Sequence, residues 1–366
     1  TLATPLHSTY RSERNPVVRS QGLVEKAGVE RLFVKKTVPD ADGSTFHFKN
    51  AAYCWVGEVE SDHTRKSHVS VSWSIGCVFR DSYFHHSYDH GGDGHGYGVN
   101  LGRHVTACLV ENNIFRHLRH SMLVQVGATG NVFGYNYSRE NVQGEGETDM
   151  NQGWTPCDIS LHGHYPGYNL FEGNVVQEID VSDYWGPCGP GNTFLRNTVE
   201  SEGIDVLDHS HRQNVIGNVL SGGANDLTIE NSVENTLAHG NVIGGTTEWD
   251  ANTADHTIPS SYYLDGTPAF FGKISWPVAG PEVSTPVALP AKERYESGGL
   301  VTRTHSSPDG DASRHGASAS RTHRPVLVGP VNKTSLCRGY GLSGRVIDLR
   351  EVDRRAVEQA VVSGKE

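Results

Sequence analysis

The sequence predicts an all-β solenoid, a stack of short strand-bearing coils, and two observations carry that reading. The first is a recurring phrase: a ladder residue, four mostly apolar or small residues, then Asn. It reads Cys108-Leu-Val-Glu-Asn-Asn113, Asn131-Val-Phe-Gly-Tyr-Asn136, Asn169-Leu-Phe-Glu-Gly-Asn174 and Asn192-Thr-Phe-Leu-Arg-Asn197, with looser copies at 77–82, 213–218 and 236–241. Its closing position falls at 82, 113, 136, 174, 197, 218 and 241, and four of the six steps are 21–23 residues. Coils of that period hold too little apolar surface to fold alone, so neighbours must stack. The second is composition. Gly is abundant at 42 of 366 residues and charged residues make up only 20%, as suits a turn-rich chain. The coils are β-branched and aromatic, with Gly and Asn at corners, and lack the Leu frame of leucine-rich repeats. Asn tolerates left-handed backbone angles at a sharp corner. Stacked one coil apart, its side chain can also satisfy buried corner amides.

Over roughly residues 45–245 this pattern resembles the right-handed parallel β-helix of the pectate lyase-like superfamily, with its internal Asn ladder. The resemblance implies three parallel sheets and capped ends. The ladder corner lies between the second and third sheets, and the first sheet with its flanking loops forms a binding cleft. It also implies a secreted or periplasmic location, in keeping with a chain that starts at Thr1 and reads as processed after a signal peptide. The domain is expected to span 1–297.

In chain order, a first coil or cap is expected around 29–36, and 46–60 is the next coil. Residues 83–95 read as a loop carrying His85, His86, His90 and His95 with Asp89 and Asp93. Such a loop could hold a transition ion through imidazole, hold Ca²⁺ through oxygen, or hold nothing. The longest insertion, 138–156, enters the same corner two coils later. Two long loops on one edge suggest walls of a groove. First-sheet strands are expected at 69–74, 96–101, 121–126, 158–163, 181–186, 204–209 and 225–231. Residues 258–277, aromatic and Pro-rich, should close the C-terminal end and run back as extended chain to about 297. The basic tail 298–366 reads as linker, with helical spacing at 348–362. Cys77 and Cys108 should stack as buried thiols. Cys157 and Cys188 could form a disulfide in an oxidising compartment.

The formal charge of −11 argues against nucleic acid or an anionic membrane as partner. No apolar run reaches membrane-spanning length. Alternation along 158–163 points Ile159 and Leu161 inward and Asp158, Ser160 and His162 outward. The next coil then presents Val181, Asp183 and Trp185. Trp185 could be a platform for sugar rings or lie beneath a loop. With Asp205, Asp208 and His209 one coil on, and Arg116, Arg119 and His120 earlier, the candidate cluster is Arg119, His120, Asp158, His162, Tyr165, Asp183, Asp208 and His209. Arg116, His164 and Trp185 would bind substrate.

The expected partner is an anionic, uronate-containing polysaccharide cleaved by β-elimination, with glycoside hydrolysis as the alternative. A lyase abstracts the proton beside a uronate carboxylate, with Arg119 clamping that carboxylate, His162 or His120 as base and Tyr165 as acid. Ca²⁺ held by Asp158 and Asp183 could replace or assist the Arg. A glycoside hydrolase instead needs two carboxyl groups across the bond, drawn from Asp158, Asp183 and Asp208. A non-catalytic carbohydrate-binding or tailspike-like module is the third reading. No motif of pectate lyase, pectin methylesterase or polygalacturonase matches residue by residue, so all these roles come from geometry alone.

Overall fold

The computed structural model describes residues 10–18, 20–39, 43–91, 94–142, 156–182, 185–221, 227–284 and 287–299. The helical spacing at 348–362, Asp93, Asp183 and most of the 138–156 insertion lie outside the described residues. The fold is a parallel β-solenoid of about eight turns, with three parallel sheets and an Asn ladder.

The second sheet is the most regular. It runs through nine parallel three-residue strands from Gly28–Glu30 to Leu237–His239. One inward column holds Phe79, Val110, Phe133, Phe171, Phe194 and Val215 in strict register, and all six are fully buried. The Phe133, Phe171 and Phe194 rings stack at 4.9 and 5.1 Å. Burying such a side chain contributes roughly 1.5–3 kcal/mol, and a single coil cannot bury it without the coils above and below.

Ladders stand at both ends of this sheet. Asn136 Oδ1 accepts from Asn113 N and Nδ2, Asn174 Oδ1 from Asn136, and so on through Asn197, Asn218 and Asn241, at 2.9–3.0 Å. A second ladder runs Cys108, Asn131, Asn169, Asn192, Gln213. The left-handed angles, however, belong to the residue before each ladder Asn: Asn112, Tyr135, Gly173, Arg196, Gly217 and Gly240 all have positive φ. The ladder Asn is selected for its amide, and its neighbour makes the corner.

The first and third sheets are fused. Val175–Val181 and Thr198–Val206 each run without a break from one sheet into the other. The expected first-sheet strand at 181–186 is therefore displaced. Ile159 pairs with Ile179 and Ser160 with Asp180, and these continue to Ile204 and Asp205. Val181, expected to face outward, lies in the core. The expected loop at 83–95 begins as the third-sheet strand Tyr83–Ser87, so only its latter part is loop.

After the last coil, the C-terminal segment turns back over the outside. Ile258 and Trp249 pack on the outer face of the second sheet with Leu170, Leu195, Ile216 and Leu237. Phe271, Val278 and Leu289 pack on the third with Tyr83, Ile114 and Tyr137. Gly134 makes room for this, because a Cβ there would sit 2.3 Å from the Tyr263 hydroxyl. Arg196 fastens the segment by donating to the carbonyls of Ile258, Pro259 and Ala279 and to Glu282. Its end is the helix Pro290–Glu296 rather than extended chain, with Pro at the first turn where its missing N–H costs nothing. Cys157 and Cys188 are free and buried, as are Cys54, Cys77 and Cys108; Cys77 N donates to Cys108 Sγ at 3.3 Å, in the stacking expected of that pair.

Candidate active-site groove

The described C-terminal segment covers the second and third sheets; on the outer face of the first, Leu123 and Ser160 are buried and Glu178, Asp180 and Asp205 half-buried. The central column of that face is His47, Ser70, Asn100, Leu123, Ser160, Asp180, Asp205 and Thr228. From Ser160 onward each sits between two core-facing residues, as Asp180 does between Ile179 and Val181. The carboxylates of the column all lie in its C-terminal half. Glu178, two residues before Asp180 on the same strand, joins the cluster.

These carboxyl groups strain one another. Burial pushes Glu178 up to about 8, and nearby Asp180, Asp158, Asp205 and Glu202 add to the rise. Burial also raises Asp180 to about 6, helped by Asp205 and Asp208 and opposed by Ser182 Oγ, which donates to it at 2.5 Å, and by His162. At neutral pH Glu178 therefore retains its proton beside a largely ionised Asp180. Two carboxyl groups whose environments separate their titrations form an acid and base pair.

The expected site residues are scattered more widely than alternation implied. His162 is half-buried at the end of the first-sheet strand, and its ring faces that of His120 at 6.2 Å. His120 is buried, with Nδ1 3.1 Å from the Cys157 carbonyl, and burial, then Arg119, holds it well below the ordinary histidine range. Arg119 is 1% exposed and lies under the loop after Ser87, with Nη1 donating to Gly91 O at 2.7 Å and the guanidinium over Tyr97. It cannot reach a carboxylate in the groove. Asp158 is fully buried rather than outward. It turns to the corner between the first and third sheets, where Ser138 Oγ and the amides of Gln177 and Glu178 donate to it. Its oxygens are engaged by these donors, and Asp183, the expected Ca²⁺ partner, lies outside the described residues. Arg116 is on the third sheet, paired with Glu140 at 2.8 Å, away from the groove.

The remaining candidates line the turns at the far edge of the first sheet. Trp185 is 54% exposed and Tyr165 59%. The His164 ring stacks on Trp185 at 6.1 Å. Asp208 and His209 are exposed one coil on, with their amides donating to Glu230 and Ser232. Sequence reasoning missed Glu178 and Asp180 and set Asp205 beside Asp183, three residues past its register partner Asp180. The signal was present: Ile159-Ser-Leu161, Ile179-Asp-Val181, Ile204-Asp-Val206 and Leu227-Thr-Ile229 are one apolar–polar–apolar phrase. No family model, curated protein or solved structure matches this chain.

Proposed function

We propose that the chain is a carbohydrate-active enzyme that hydrolyses a glycosidic bond of a polysaccharide laid along the first sheet. The observation that carries this reading is the placement of Glu178 and Asp180 on the outer face of one strand, with Asp205 in register with Asp180 on the next coil; burial raises Glu178 to about 8. Glu178 delivers its proton to the leaving glycosidic oxygen. Asp180 or Asp205 attacks the anomeric carbon or activates the water that does. Trp185 offers an apolar ring face to the C–H face of a sugar. The acidic cluster disfavours a polyanionic substrate, so a neutral glycan fits better than a uronate polymer. The enzyme would act outside the cytoplasm, where such polymers are met.

A second reading is favoured by the same cluster. Glu178, Asp180 and Asp205 supply oxygen donors suited to Ca²⁺, and a cation there would let a uronate enter for β-elimination. One assay separates the two. Neutral and uronate polysaccharides are incubated with the protein, with and without chelator, and both reducing ends and ultraviolet absorbance of new C=C bonds are followed. Reducing ends without absorbance, insensitive to chelator, are expected. Absorbance that chelator abolishes would replace hydrolysis by elimination. Silence in both channels across the panel would leave a binding module.

A further inference from the structure

The third sheet carries a separate cluster at its corner with the first. His63, His86 and His117 occupy one left-handed position on three successive coils. Their rings follow one another at 5.3 and 5.0 Å. This corner is left-handed on the following coil too, at Glu140, and His is among the residues that tolerate it; three successive imidazoles there are an arrangement the corner alone does not require. Beside it, Asp62 and His85 are register partners on adjacent strands, Glu60–Thr64 and Tyr83–Ser87.

We propose that Asp62, His85 and His86 form a binding site for a first-row divalent transition ion, with zinc the best fit to the donor set. One ligand atom from each lies within 4.8 Å of the others. His85 Nδ1 is 2.8 Å from His86 Nδ1 and 3.6 Å from Asp62 Oδ1. A tetrahedral zinc site with bonds of ~2.0–2.1 Å has ligand atoms about 3.3 Å apart, so small rotations close these three around an ion. Two imidazoles and a carboxylate suit zinc rather than calcium or magnesium.

The surroundings hold the ligands as such sites do. The other nitrogen of His85, Nε2, is buried 3.4 Å from Glu60 Oε1 without a hydrogen bond, and a small turn of Glu60 would complete the carboxylate–histidine contact that orients a metal ligand. The His85 ring stacks on Tyr83 at 4.2 Å, and His86 is held between His63 and His117. Asp62 uses Oδ2 to accept from Lys35 at 2.6 Å. Its Oδ1 is 2.5 Å from His63 Nδ1, a contact that an entering ion would displace. His95 of the following loop pairs with Asp89 at 2.9 Å and belongs to a different contact. An ion here would tie two coils together, apart from the groove on the first sheet.

The test is a titration of the chelator-stripped full chain with Co²⁺, followed by its visible ligand-field bands, then displacement by Zn²⁺ with elemental analysis. One ion per chain is expected. Asp62→Asn and His86→Asn should each weaken binding at least ten-fold, Asn being chosen at 86 because it tolerates the left-handed angle. His104→Asn, an exposed left-handed histidine elsewhere, should not. Lys35→Ala, which frees Asp62 Oδ2 of its cation, should tighten binding, a direction that misfolding cannot imitate. Absence of ligand-field bands, or equal affinity in the wild type and in Asp62→Asn, His86→Asn and Lys35→Ala, would overturn the proposal.

Discussion

At the scale of single residues, two aspartates with the same local sequence pattern come to opposite ends. Asp180 lies half-buried on the outer face of the first sheet between residues of the core. Asp158 precedes Ile159 at a corner, and there the inward direction itself turns, so alternation counted from Ile159 gives the wrong side. Ser138, itself bonded to Ser121, receives it instead. The variants should separate accordingly. Asp180→Asn and Glu178→Gln should each cut turnover by about 10²–10⁴, measured as released reducing ends. Asp158→Asn should leave turnover intact. Burial lifts Asp158 from its ordinary 3.8 to about 6, so the folded state favours the protonated form. The cost is absent below the unfolded value and fully present above 6, where it amounts to about 3 kcal/mol. Asn can accept from the amides and donate to Ser138, so Asp158→Asn should match the wild type near pH 4 and exceed it in denaturant midpoint at pH 7. A loss of stability at pH 7 would mean that the charge is held by interactions stronger than its burial. None of this was legible from the residue itself, because polarity and spacing are the same in both places.

At the scale of the coil, the second sheet was legible and the first only in part. Each coil of the second sheet opens and closes on an amide ladder, so its phrase has fixed length and the register follows. The first sheet has no such bracket. Its approach from the third sheet varies from the long insertion before Ile159 to no break at all in Val175–Val181, and a reader counting from the ladder overshoots by three residues. The ladder also tells where a coil is weakest to substitution. Asn174 accepts from the backbone and side-chain amides of Asn136 and donates to Phe133 O and Asn197 Oδ1. Asn174→Ala would leave several buried groups unpaired at about 1–3 kcal/mol each. A loss of roughly 3–5 kcal/mol is expected in a denaturant titration, whereas Ser201→Ala on an exposed strand position should fall within ~0.5 kcal/mol. Equal effects from the two would show that the ladder is decoration on a stack held by its apolar columns alone.

At the scale of the whole molecule, a solenoid this rich in buried titratable groups must exchange protons with solvent when it unfolds, and the two classes pull in opposite directions. Burial raises Asp158 and Asp180 to about 6, Glu172 to about 7 and Glu178 to about 8. These acids bind more protons folded than unfolded, so each makes the fold less stable as pH climbs from about 4 toward its raised value. Burial lowers His68 to about 3 and His85 and His86 to about 4. These histidines stay neutral in the fold while the unfolded chain can protonate them below 6.5, so they make it less stable as pH falls from 6.5 toward 4. Between about 4 and 6 the two trends oppose each other. Above 6.5 the unfolded histidines lose their remaining protons within about one pH unit, a smaller change than that of Glu172 and Glu178, which ionise unaided. Stability should therefore decline from pH 6.5 to 8, read as a falling Tm at fixed ionic strength in chelator-containing buffer, where no ion can bias the histidines. Glu178→Gln should flatten that decline although Glu178 is assigned the catalytic proton, which links the groove's chemistry to its cost in stability. A Tm that holds level or rises over this interval would mean that Glu172 and Glu178 are ionised in the fold, and Glu178 would then have no proton to give at neutral pH.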